Sequence, residues 1–104
     1  MKIIFKDQLL VELYDGTKVN NRMFRSNPKL ISKFQLLILK LKQVNNISQL
    51  YQFHGLHYEK LKGNLNGYSS VRIDRQYRLI FREIIADINS DVVLEIIEIS
   101  NHYT

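Results

Sequence analysis

The sequence has no cysteine, so disulfides and thiolate metal sites are excluded. Its three histidines, His54, His57 and His102, are too few and too scattered for a zinc site, and no metal or other cofactor is expected. No apolar run approaches the roughly 20 residues that span a bilayer, so no membrane partner is expected. The opening MKIIFKDQLLVELYDG is broken by charge before a secretory apolar core can form, which points to the cytoplasm. There are no repeats, linkers or low-complexity stretches. The 104 residues suit a single domain over 1–104 with a modest core.

What charge there is falls unevenly. Residues 1–56 carry nine Lys/Arg against Asp7, Glu12 and Asp15. Residues 57–82 carry Lys60, Lys62, Arg72, Arg75, Arg78 and Arg82 against Glu59 and Asp74. Beyond them stand only acids: Glu83, Asp87, Asp91, Glu95 and Glu98. A basic surface attracts polyanions through counterion release, although the plainer reading of charge alone is a solvated surface.

The single proline, Pro28, suits the first turn of a helix that Asn27 can cap. Leu30, Phe34, Leu37, Leu41 and Val44 then recur at steps of four and three, which predicts a core-facing helix over about 28–44. Lys29, Lys33, Lys40 and Lys42 lie largely off that stripe. Ser48 to Phe53 can add a short helix. At the start, Lys2 to Phe5 reads as a strand. Asp7 can cap a short helix bearing Leu9, Leu10, Leu13 and Tyr14 and closed near Gly16, with a hairpin through Asp15-Gly16 as the alternative. Residues 17–27 read as loop.

The second half is strand-rich. His57–Lys62, Tyr68–Ile73, Tyr77–Phe81 and Val92–Ile99 are the candidate strands, the last strongly β-branched. Turn residues separate them at 63–67, 74–76 and 87–91. Short turns between consecutive strands give an antiparallel meander. With the helices earlier in the chain, the class is α+β: an N-terminal strand and helices on one face of a small, mainly antiparallel sheet.

Strand alternation places chemistry on one face. Arg72 and Arg78 leave the face opposite to Val71 and Leu79, and pairing across the 74–76 turn brings them together. Glu59 and Lys62 belong to the preceding strand, and His102 and Tyr103 follow the last one. A carboxylate base, guanidinium cations and an imidazole acid are what RNA scission through the 2′-hydroxyl requires, without a metal. Arginine offers a planar fork to phosphate, and an aromatic ring can stack on an unpaired base. Each residue also has a plainer reading: a surface ion pair for Glu59, exposed strand positions for Arg72 and Arg78, and chain-end fraying for His102 and Tyr103. His54 and His57 precede the sheet and can be lost without touching this geometry, although His57 faces the side of Glu59 if the strand is regular.

The run from Glu59 to Phe81, EKLKGNLNGYSSVRIDRQYRLIF, resembles the central segment of RelE/ParE-superfamily toxins, in particular the YoeB and HigB branches. A Leu-Lys pair precedes a glycine-containing turn, then an aromatic-rich strand with arginine, then an aromatic-Arg-Leu-x-aromatic strand. A hydrophobic strand and a histidine near the C-terminus complete the likeness, which covers about 55–81 and 92–103. It implies a microbial-ribonuclease-like fold, and a toxin that cuts mRNA in the ribosomal A site and is silenced by a cognate antitoxin. Ribosomal RNA would be a further partner. The implied catalytic residues are Glu59 as base, His102 as acid, Arg78 on the phosphate, and Tyr103. The resemblance matches Lys62 and Arg72 to basic residues of the substrate groove, and Lys60, Arg75 and Arg82 complete the candidate substrate-binding set. HigB-like members more often carry a histidine near the Glu59 position and end Asp-Tyr-His. Here His57 is two residues away and Ser100-Asn101 precede His102, which favours the Glu/His pair of YoeB. The alternatives are a ParE-like inhibitor of DNA gyrase, a class that generally lacks that pair, and a non-catalytic RNA-binding domain.

Overall fold

In the computed structural model, residues 1–17, 21–85 and 92–101 are described. Five strands form one sheet: β1 (Lys2–Phe5), β2 (Glu59–Lys60), β3 (Ser69–Arg72), β4 (Tyr77–Ile85) and β5 (Val92–Asn101). Their order is β1-β5-β4-β3-β2. All neighbours are antiparallel except β1, which lies parallel to β5 with Ile3 opposite Leu94 and Phe5 opposite Ile96. The first strand thus joins the last, a long-range pairing that local pattern does not encode.

Four helices precede β2: α1 (Gln8–Asp15), α2 (Arg22–Arg25), α3 (Pro28–Gln43) and α4 (Ile47–Gln52). The helix alternative at the start is the one adopted. Asp7 caps α1 by accepting from the Leu10 amide at 3.1 Å, and Gly16 takes the left-handed conformation that closes it. Helix α2 falls inside the stretch read as loop. Asn21 accepts from the amides of Met23 and Phe24, and buried Phe24 ties the turn down. The cap and one apolar anchor are too short a signal for periodicity to register.

The core lies between the helices and one face of the sheet. Leu30, Phe34, Leu37, Ile38 and Leu41 of α3 are buried, as are Val71, Tyr77, Leu79, Phe81, Leu94, Ile96 and Ile99 of the strands. Phe34 and Phe81 are 0% exposed, and a side chain so buried contributes about 1.5–3 kcal/mol. A bulge keeps the faces in phase: Ile80 pairs with Glu98 and Phe81 with Ile96, so Ile97 is an extra residue in β5. The same alternation turns Ser70, Arg72, Arg78, Ile80 and Ser100 to the other face, away from the helices.

Strand β2 is shorter than the expected 57–62. A 3-10 turn over His54–Leu56 precedes it, and His57 sits in the left-handed region at φ +46°, which no strand residue occupies. Among the described residues, no helix is long and apolar enough to cross a membrane.

Candidate active site

The register across β2, β3 and β4 assembles the open face row by row. Glu59 lies opposite Ser70, and Arg72 lies opposite Arg78. On the far side Arg78 meets Ser100, and Tyr77 meets Asn101. Glu59, Arg72 and Arg78 therefore stand together, as strand alternation requires. His102 and Tyr103 lie outside the described residues, although β5 carries Asn101 to the row beside Arg78.

Arg78 is the centre of the cluster. Its side chain is only 13% exposed, against 59% for Glu59. Its Nε donates to Ser70 Oγ at 2.9 Å and its Nη2 to the His57 carbonyl at 2.6 Å. Nη2 also lies 3.7 Å from Glu59 Oε1. Burial lowers the pKa of the guanidinium from its ordinary value and the charge of Arg72 adds to that, while Glu59 opposes it. This is a cation held in place and short of water, and an incoming anion makes up for the lost hydration. Arg78 also lines a cleft of about 220 Å³ with Leu61, Leu65, Ser70, Ile80, Ser100 and Asn101. The cleft joins a fixed cation to apolar wall, a combination that suits a nucleotide.

Arg72 is tethered through Nε to the Asp74 carbonyl at 3.1 Å, and its Nη1 lies 3.5 Å from His57 Nε2. His57 therefore belongs to the open face. A regular strand would have put it there two residues before Glu59, but a left-handed turn just ahead of β2 brings it there instead. The signal was Gly55 and the polar residues near it, which mark a turn rather than a strand start.

The remaining basic residues scatter. Lys60 pairs opposite Ser69 and so projects from the reverse face to Glu59, where it lines a second cleft of about 310 Å³ with Ser69 and Glu83. Arg82 shares the open face but is four residues along β4, about 13 Å from Arg78 at strand rise. It is engaged with Glu95 at 2.9 Å. Arg75 is exposed in the 74–76 turn, and Lys62 is exposed beyond the end of β2. The structure brings Glu59, Arg72 and Arg78 together; it sets Lys60 and Arg82 apart from them.

Behind the site, Tyr58 anchors β2. Its ring stacks on Phe81 at 6.1 Å and meets Tyr51 edge-on at 4.7 Å. Its hydroxyl donates to Glu83 Oε2, which also accepts from Ser69 Oγ. Burial, and then the Glu83 carboxylate, push the phenol well above its ordinary pKa of 10.0. With Tyr58 fixed to the reverse side, its neighbour Glu59 is held to the open face.

Solved structures share this fold. YafQ from E. coli superposes with a TM-score of 0.61 at 12% identity, over 97% of this chain and 92% of that one. A YoeB/ParE toxin from Agrobacterium tumefaciens gives 0.56 at 23% identity, over 99% and 100%. The YoeB–YefM complex from Staphylococcus aureus gives 0.55 at 28% identity, over 99% of this chain and 98% of the matched chain. The architecture is thus that of small RelE-like toxins. The sequence narrows the class further. The family described as "RelE-like toxin of type II toxin-antitoxin system HigB" matches residues 3–101. Toxin HigB-1 of Vibrio cholerae serotype O1 is 37% identical over 82 residues, 79% of this chain and 83% of that protein. The chain belongs to the HigB-like family of RelE-like toxins of type II toxin–antitoxin systems.

Proposed function

We propose that the chain is a ribosome-dependent endoribonuclease that cuts mRNA in the A site by metal-independent attack of the 2′-hydroxyl. The observation that supports it best is the juxtaposition on one open face of Glu59, Arg72 and Arg78 beside a cleft. Glu59, largely exposed and within reach of a guanidinium, takes the 2′-hydroxyl proton. Arg78, with Arg72, stabilises the charge that develops on the phosphate. His102 protonates the leaving 5′-oxygen and Tyr103 positions the nucleotide, roles that follow from the sequence resemblance. Lys62, and Arg75 at the turn, supply non-specific attraction to RNA.

The partner in this reading is a cognate antitoxin, as in the YoeB–YefM toxin–antitoxin complex of Staphylococcus aureus. From Gly16 to Tyr58 the sequence has seven Lys/Arg and no Asp or Glu. On α3, Leu36 is 66% and Leu39 47% exposed, and Lys40 lies over the Phe53 ring at 4.8 Å. A basic surface with exposed leucines fits an acidic amphipathic segment. Expression of the chain alone should arrest growth, with rescue by its neighbouring small open reading frame. Leu36→Glu should keep toxicity and lose rescue. Harmless high-level expression of the folded chain would contradict the reading.

A further inference from the structure

His57 is the one non-glycine residue with a left-handed backbone among the described residues. Histidine tolerates that region better than most side chains, but glycine adopts it freely. The turn's backbone task, presenting a carbonyl to Arg78 at 2.6 Å, needs no side chain. What histidine adds is an exposed imidazole with Nε2 at 3.5 Å from Nη1 of Arg72. Non-glycine residues held in this conformation concentrate at functional sites, which makes the imidazole the part to explain.

The charged and titratable groups around this turn are Arg72 from β3, whose Nη1 meets the ring, Arg78 from β4, which meets the His57 carbonyl, and Glu59 two residues along the chain, with His54 at the start of the same 3-10 turn. Asp74, on the turn after β3, caps that turn by accepting at Oδ1 from the amides of Gln76 and Tyr77. An anion seated against both side chains gains donors from the imidazole and from the guanidinium fork. Because Nε of Arg72 is already tied to the Asp74 carbonyl, its Nη groups are held toward such a ligand.

We propose that His57 and Arg72 form a phosphate seat for RNA on the open face, with His57 engaging as imidazolium, so that substrate binding takes up a proton. This rests on the reading of that face as an RNA site. Binding then tightens as pH falls through the imidazole range, by up to about tenfold per unit for one linked proton. The His57 carbonyl continues to position Arg78 whether or not the ring is present.

The experiment uses the full chain with ribosomes programmed with an mRNA whose A-site codon carries 2′-O-methyl groups, which blocks the cut. Affinity is measured at pH 6 and pH 8 for the intact chain, His57→Gly, His57→Asn and His54→Gln. Thermal melts confirm folding, since glycine and asparagine both accept the turn. Cleavage of unmodified mRNA gives KM and kcat separately. The expected result is binding about tenfold weaker for His57→Gly and His57→Asn at pH 6, converging with the intact chain at pH 8, with the loss in KM and kcat changed less than about threefold. His54→Gln should behave as the intact chain. The same pH dependence in the intact chain and both His57 variants, or a loss confined to kcat, overturns the phosphate seat while leaving the nuclease reading in place. No cleavage by the intact chain overturns the nuclease reading, and this inference falls with it.

Discussion

Replacing Arg78 by alanine separates two consequences that its position joins. The side chain donates to Ser70 Oγ at 2.9 Å and to the His57 carbonyl at 2.6 Å. Hydrogen bonds from a charged donor are worth about 1.5–3 kcal/mol each, and the exposed His57 carbonyl regains water when one is lost. Ser70, 1% exposed, does not. The Glu59 pair adds little, because Glu59 is largely exposed and 3.7 Å away. Arg78→Ala should therefore cost about 2–4 kcal/mol, leaving the fold intact within a typical total of about 5–15 kcal/mol. Cleavage should fall on the order of 100-fold or more, the usual effect of removing a transition-state electrostatic contact. Arg78→Lys keeps the charge but cannot bridge Ser70 and His57 with a planar fork, so it should recover stability more than activity. The assays are thermal unfolding and mRNA cleavage on programmed ribosomes, well below both melting midpoints. A folded Arg78→Ala variant with full activity would remove Arg78 from the site. Loss of folding in Arg78→Ala with full activity in Arg78→Lys would reduce its role to that of a strut.

Glu59→Gln should abolish cleavage while shifting stability by less than about 1 kcal/mol in thermal melts, because its ion pair is exposed; retained cleavage would refute the base role. Tyr58 holds its proton in the folded state above the pH at which the unfolded chain releases it, so stability should fall as pH rises beyond about 10. Tyr58→Phe should flatten that decline in denaturant titrations, and an unchanged slope would show that other groups set it. Phe34→Ala, at a 0% exposed position in the centre of α3, should cost about 3–5 kcal/mol by the same titration, and a smaller loss would mean the core refills the cavity. Deleting residues 102–104 should remove cleavage with little change in melting temperature, since Ile99 is the last buried apolar residue described in β5; retained cleavage would sink the acid role of His102.

Much of this architecture was open to reading because its signals are local. The α3 stripe, the Asp7 cap and the two-residue alternation of β3 and β4 each need only a few neighbouring residues. That alternation alone carried Arg72 and Arg78 to one face. What escaped was non-local or too brief. The parallel pairing of β1 with β5 spans most of the chain, and no pattern in 2–5 names its partner. The bulge at Ile97 becomes visible only against β4, and α2 is a single turn. At the site, a charge count cannot tell Arg78 from Arg82; only the cross-strand partner does, Ser100 for one and Glu95 for the other. Lys60 and Glu59 are adjacent in sequence and opposite in space for the same reason. The left-handed backbone at His57, and the carbonyl it turns toward Arg78, have no counterpart in a strand pattern.

If this open face cuts RNA on the ribosome, the break in the message lies where the ribosome holds it. The direct measurement is to map mRNA ends after adding the intact chain, and separately Glu59→Gln, to ribosomes programmed with a defined message. The intact chain should leave cuts within the A-site codon, with 2′,3′-cyclic phosphate on the upstream fragment, and Glu59→Gln should leave none. Intact message from both, in a chain that still arrests growth and lowers DNA supercoiling, would contradict the nuclease reading and favour a gyrase-binding toxin.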